Sequence, residues 1–215
     1  MLSYEKVFDA IFISLQVSIT STIFAFFLSI IFGYLIVINK FVLKKIIIAV
    51  LGSLTSIPPV CAGLIVYLVV SRSGPLGWME ILYTPSAMII AQFLIIFPIM
   101  ITLVINNIQD EHPRFNEELN SYGVSKRDLI ILLIINKKNI YMTILLIGFG
   151  RAISEYGAAA IVGGSIDQVT RNMTSMIALE TSKGNVLTGV ILGLILISFS
   201  LFISFSINFI KKNNV

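Results

Sequence analysis

The chain has 215 residues, of which 57% are apolar and only 12% charged, with a net charge of +4. That balance excludes an ordinary soluble domain and allows about five spans of ~20 residues with short connections between them. One cysteine excludes an intrachain disulfide, and Cys61 is expected to be buried as a small hydrophobe.

The basic residues are not gathered as a nucleic-acid surface would gather them, so no nucleic acid is expected as a partner. Lys40, Lys44, Lys45, Arg114, Lys126, Arg127, Lys137, Lys138, Lys211 and Lys212 fall in alternate connections and the tail, opposite only Lys6, Arg72, Arg171 and Lys183. This asymmetry predicts an external N-terminus, a cytoplasmic C-terminus and an odd number of spans. Glu5, Lys6 and Asp9 replace the basic start of a cleaved leader, so the first apolar segment is expected to stay. The single histidine, His112, stands before Pro113 without the spacing of a metal site, and no metal is expected.

Residues 10–38 carry no charge. As a helix they would reach about 43 Å, longer than a ~30 Å hydrocarbon core. Ser14, Ser18, Ser21, Thr22, Ala25 and Ser29 recur at three- and four-residue steps, a stripe that favours close helix packing over a pore wall. The second span, 46–70, is interrupted by Pro58-Pro59, with Thr55, Ser56 and Gly63 nearby. Two prolines inside a span predict a discontinuity covered by protein or facing a cavity: a packing kink, or a gate or pathway element using Ser56, Pro58 and Pro59.

Ser71 to Gly77 reads as a tight external turn, and Trp78 and Tyr83 suit the membrane boundary. The third span, 85–108, opens with Thr84 as N-cap and Pro85 at the first helical position. Gln92 is its one strongly polar interior residue and Pro98 its expected kink. The polar stretch at about 110–128 is either a solvated inner loop or a short helix–turn–helix offered to a cytoplasmic partner. The seven apolar residues from Leu129 to Ile135 that follow are too short to cross.

The fourth span, 139–164, holds Arg151 and Glu155 four residues apart, on one helical face with Thr143, Gly148 and Ala158. A charge at mid-bilayer costs about 2.5–3.5 kcal/mol on insertion scales, so such a pair belongs in a protein interior or on a water-filled path. Met173, Met176 and Ile177 at helical steps predict a short external amphipathic helix on or dipping into the surface. The last span, 185–210, contains the small-xxx-small pair Gly189 and Gly193. No internal repeat appears. The chain also lacks a GxxxxGK[ST] loop, GxSxG, HExxH and a dinucleotide fingerprint, so it is expected not to be an enzyme.

Four stretches carry a resemblance. Ile57-Pro58-Pro59-Val60-Cys61-Ala62-Gly63 is similar to a Leu-Pro-Pro-Val-Val-x-Gly motif. Ser71-Arg72-Ser73-Gly74-Pro75-Leu76-Gly77, with Tyr83 to Gln92, is a second similarity. A third runs from Gly150 to Gly164 and on through Thr170-Arg171-Asn172-Met173-Thr174 to Gly184. The fourth, Glu117-Glu118-Leu119-Asn120-Ser121-Tyr122-Gly123, stands where an EAA–x3–Gly loop would, with Glu118 and Leu119 replacing two alanines.

On these motifs the chain resembles the permease subunits of type I ABC importers, in the molybdate, sulfate and tungstate branch and nearest the tungstate type. The resemblance implies an all-α MetI-like membrane domain forming a homodimer. It also implies two cytoplasmic ATPase subunits holding ATP and Mg, an extracytoplasmic oxyanion-binding protein, and residence in the inner membrane of a prokaryote. Glu117, Glu118, Gly123, Ser125 and Asp128 would then couple to the ATPase. Arg72 and Arg171 would contact the binding protein, and Arg151 and Glu155 would either line the anion's path or pair structurally. Molybdate or sulfate could replace tungstate as cargo. A non-transporting interaction or sensor subunit is the rival of another class, which needs neither a Pro-Pro break nor a mid-membrane ion pair.

Overall fold

The computed structural model describes residues 4–39, 41–120, 135 and 137–212. The described residues form helices α1 (Tyr4–Ile38), α2 (Lys44–Leu54), α3 (Pro59–Val70), α4 (Pro85–Asn120), α5 (Lys138–Ile153), α6 (Gly157–Gly163), α7 (Met173–Ser182) and α8 (Val186–Lys212), with a 3-10 turn at Gly77–Met79 and no strand. Among the described residues, three helices are long and apolar enough to cross a membrane, Glu5–Ile38, Pro85–Gln109 and Val186–Ile210, and the number rises to five if each of two bent pairs counts as one span.

The α1 and α4 pair forms the spine of the molecule. The small-polar stripe of α1 explains how closely they approach: Ser14, Ser18, Ser21, Thr22, Ala25 and Ser29 are all buried. One core cluster gathers Tyr34, Ile96, Met100, Val104, Ile105 and Ile144 between α1, α4 and α5. A second gathers Val17, Ala62, Val66, Met88, Ala158 and Val162 between α1, α3, α4 and α6.

The segment 46–70 is broken outright, not kinked. Helices α2 and α3 meet at 105°. The cause lies in both prolines. Pro59 forbids Pro58 the helical region, and Pro58 does the same to Ile57. Pro58 therefore turns to an extended ψ of 130° and starts a new helix with Pro59 in the first turn. Its carbonyl accepts the N–H groups of Cys61 and Ala62. Before the break, the N–H groups of Thr55, Ser56 and Ile57 reach back three residues and tighten the end of α2.

The segment 139–164 is also broken, between α5 and α6, which meet at 58°. No proline marks this break. Helix α4 does the opposite: Pro98 does not end it, and it runs past the expected limit at Ile108 to Asn120. The first part of the expected loop at 110–128, as far as Asn120, therefore continues a helix, consistent with the helix-forming Glu111, Arg114, Glu117, Glu118 and Leu119 there. The Thr84 hydroxyl does not cap α4. It donates instead to the Ile81 carbonyl.

Three further expectations are corrected. Cys61 is exposed on α3 because Ala62 and Gly63 take the inward face. Helix α7 does not lie on the surface: Met173 and Met176 are fully buried between α7, α8 and α1. Of the two α8 glycines, Gly189 approaches Thr181, while Gly193 faces open space.

The two broken segments nest against each other. A β-carbon on Gly63 would lie 2.7 Å from the Ala158 Cα, and one on Gly157 would lie 3.0 Å from the Val60 side chain. Gly63→Ala is therefore expected to destabilise the protein by about 1–3 kcal/mol through overpacking. Gly193→Ala, with nothing within 4 Å, should be tolerated. Thermal unfolding of the purified variants in detergent checks the contrast.

Candidate functional site at the paired helix breaks

The site is built where α5 ends. Ser154 begins the break: its hydroxyl donates to the carbonyls of Gly150 (2.9 Å) and Arg151 (3.2 Å) and competes with the helical ladder. Glu155 then turns inward. One carboxylate oxygen accepts Arg151 Nη1 at 2.9 Å, and the other accepts the Ala158 N–H at 3.3 Å in the first turn of α6. The ion pair thus straddles a helix end instead of running along one continuous face.

The pair is unequal. Glu155 is 3% exposed and Arg151 37%. The carboxylate is fixed inside, while the guanidinium keeps a free flank toward the open side. Ser154 and Tyr156 are also exposed there.

Other helices satisfy the backbone left open by the break. Gln92 on α4 donates to the Ala152 carbonyl (3.1 Å) and accepts from Ser21 of α1 (2.9 Å). Thr174 of α7 donates to the Glu155 carbonyl (2.9 Å). Asn172 caps α7 by accepting the Ser175 N–H at 2.9 Å, and the Met173 N–H donates to Ser14 of α1 at 2.7 Å. Three other helices, α1, α4 and α7, therefore hold one interruption. Composition singles out Gln92 as polar and buried, but nothing in the sequence assigns it to residue 152. Ser14 stands in the packing stripe and Asn172 and Thr174 in the third motif, but nothing in the sequence assigns any of them to the break.

The other predicted residues separate. Pro59 and Val60 pack on Gly157, so the two breaks adjoin, with Ser56 and Pro58 exposed at the α2–α3 elbow. Arg72 is exposed beside a hollow of 640 Å³ shared with Tyr67, Ser73, Glu80 and Tyr83. Arg171 is half-buried, giving Nη1 to Asp167 (2.6 Å) and Nε and Nη2 to the Ser165 carbonyl. Glu117 and Glu118 lie in the last turns of α4, whereas Gly123, Ser125 and Asp128 fall outside the described residues.

The loop between α6 and α7 is tied to the start of α1 by charge. Lys6 at the start of α1 reaches Asp167 at 2.7 Å. That hydrogen bond, with Arg171 alongside, holds the Asp167 carboxyl below the usual range. Glu180 is held low in the same direction by Lys183 and then by Asn185.

No protein-family profile matches the chain. It is 41% identical over 203 residues to a tungstate uptake system permease protein of Peptoclostridium acidaminophilum, covering 94% of this chain and 87% of that protein. A tungstate uptake system permease protein of Campylobacter jejuni is 36% identical over 171 residues, covering 80% and 70%. A probable anion ABC transporter permease protein of Haloferax volcanii is 36% identical over 163 residues, covering 74% and 70%.

Two outcomes follow from this geometry. Gln92→Leu removes two buried hydrogen bonds, while Ser21 keeps the Ser18 carbonyl and the Ala152 carbonyl keeps the Glu155 N–H, and should lower stability by about 1–3 kcal/mol in detergent unfolding. Because Asp167 has a depressed folded pKa, its contribution is complete above its unfolded value near 4 and declines as pH falls from there through the folded value. Hydrogen-exchange protection of residues 164–172 should thus be unchanged between about pH 7 and 5, and Asp167→Asn should lose it already at pH 7.

Proposed function

The chain belongs to the permease subunits of anion-importing ABC transporters, and on that premise we propose that it carries tungstate across the inner membrane of a prokaryote. It works as a homodimer with two separate ATPase subunits, which bind ATP and Mg, and with an extracytoplasmic binding protein that delivers the anion. The N-terminus faces outward and the C-terminus the cytoplasm, the arrangement that the distribution of Lys and Arg favours.

The half-exposed Arg151 guanidinium, beside a buried Glu155 at the junction of two broken helices, carries the mechanistic reading. A tetrahedral dianion loses hydration on entering a membrane, and a guanidinium offers several hydrogen-bond donors along with a full positive charge. In the dimer, two copies of Arg151 flank the path and lower that barrier. Glu155 occupies one side of each guanidinium and keeps the anion's hold weak enough for release, as conduction requires. Broken helices around Ser56, Pro58 and Pro59 form the adjoining gate, since irregular backbone at membrane depth lines a cavity or is covered by protein.

Residues Glu117, Glu118, Gly123, Ser125 and Asp128 dock on the ATPase, and Arg72 and Arg171 face the binding protein. Nucleotide-driven closure of the ATPases then shifts the permease between inward- and outward-open packings. Molybdate and sulfate share the charge and shape of tungstate, so the choice among them rests with the binding protein.

The reading is tested by uptake at matched membrane abundance. Arg151→Gln should cut tungstate uptake by about tenfold, equivalent to roughly 1.4 kcal/mol of barrier. Arg151→Lys should retain part of the rate, and wild-type uptake in the Gln variant would overturn the pathway role. Gly123→Asp should leave the protein in the membrane yet abolish stimulation of the ATPase by loaded binding protein. Persisting stimulation would show that the coupling segment lies elsewhere.

A further inference from the structure

Where α5 begins, a groove of 360 Å³ opens between it and α1. Phe26 of α1 forms one wall, and Lys138, Tyr141, Met142 and Leu145 form the other, with Ile135 just before them. The four α5 residues stand at steps of three and four, so they share one face of the helix. Tyr141 gives its ring to the groove, because its hydroxyl is engaged by the buried Tyr34 hydroxyl at 2.7 Å. One charge therefore stands at one end of an otherwise apolar cleft. From Lys138 to Leu145 is about 10 Å along the helix, roughly two-thirds of the depth of a ~15 Å leaflet. That is the shape of an amphiphile, with a headgroup at the lysine and hydrocarbon below it.

The groove and the ion pair occupy different sides of α5. At about 100° per residue, the centre of the groove lies roughly 130° around the helix from Arg151. When the open flank of Arg151 faces the path, the groove faces lipid. Nearer the break, Leu146 and Phe149 gather with Phe199 and Ile203 of α8 in one core cluster. No described residue of α8 lines the groove, and Met142 is 48% exposed there. Lys138 is exposed, has no ion pair among the described residues, and meets no acidic residue in the first turn of α5. A cleft with so few polar partners does not hold water, whereas the flexible Met142 side chain can fit itself to an acyl chain. A headgroup carrying its own ammonium would bring a second cation to Lys138. A phosphate esterified to uncharged glycerol brings only the complementary charge. The distribution of Lys and Arg puts this end of α5 at the cytoplasmic leaflet, where basic residues recruit anionic lipid.

We propose that the α1–α5 groove is a site for one anionic phospholipid, with its phosphate on the Lys138 ammonium and an acyl chain along Tyr141, Met142 and Leu145. The site needs the membrane orientation that Lys and Arg favour, but not the identity of the cargo. The bound chain braces α5 against α1 in front of the Tyr34–Tyr141 pair, at the root of the helix that ends in Arg151.

The test uses the complete transporter, stripped of lipid in detergent and then supplied with defined lipid. Native mass spectrometry should find phosphatidylglycerol retained on the permease severalfold better than phosphatidylethanolamine with the same acyl chains. Lys138→Gln should abolish that preference, and Lys138→Arg should keep it. Met142→Trp fills the groove with the charge intact and should expel the lipid. If that variant does not fold, the exposed Lys138 variants still decide the matter. Inorganic phosphate in excess should not displace the lipid, since the acyl chain is part of what binds. A photoreactive benzoylphenylalanine in place of Met142 should label phosphatidylglycerol. Equal retention of the two lipids, an undiminished preference in Lys138→Gln, or displacement by inorganic phosphate alone would overturn the site. So would labelling confined to permease peptides, from the same chain or from a second copy. Uptake by Arg151→Gln bears on none of these results, so the lipid site and the anion path fail separately.

Discussion

A helix interrupted inside lipid strands carbonyl and amide groups where no water can pair them, and each stranded group costs as much as a good hydrogen bond returns. Everything around the α5–α6 break answers that demand. The Ala152 carbonyl is taken by Gln92 and by the Glu155 N–H, the Glu155 carbonyl by Thr174, and the Ala158 amide by the Glu155 carboxylate. The donors come from α4, from α7 and from the break itself, and Ser14 and Ser21 tie the first two to α1. The position of α7, a short helix with no span of its own, is explained by this duty.

The same arrangement settles the charge problem. Arg151 and Glu155 enter the membrane as a neutral pair, but the burial is one-sided, so the carboxylate acts as a fixed internal counter-charge and the guanidinium as its accessible face. Outside the membrane the charges serve anchorage. Lys6, Asp167 and Arg171 join the start of α1 to the loop before α7, and Arg171 in turn fixes Ser165. A single chain of contacts therefore runs from the first helix to the backbone at Ser165.

Much of this was legible in the residues because it follows from gross physical quantities. Apolar run lengths marked the long helices, and the α1 stripe marked its packing face. Pro58-Pro59 marked one break, although a full turn of the chain was understated as an interruption. The second break was hidden because Ser154 and Glu155 end the helix through side-chain hydrogen bonds, which leave no compositional trace as proline does. Arg151 and Glu155 were visible as a pair by spacing alone, yet spacing could not reveal which of the two is buried. Cys61 and α7 were misplaced for a common reason. Hydropathy reports that a segment is apolar but not which side of it meets protein, and that depends on glycines and hydroxyls several helices away.

The nesting of the two breaks bears on how such a chain can vary over evolutionary time. At Gly148 the crowding atoms belong to the Met100 side chain, so a larger residue at one position can be exchanged for a smaller one at the other. At Gly63 the crowding atoms are the backbone Cα, C and O of residue 158, which every amino acid possesses. No partner substitution can make room there. Positions 148 and 100 should therefore covary among relatives, whereas position 63 should stay glycine whatever residue stands at 158.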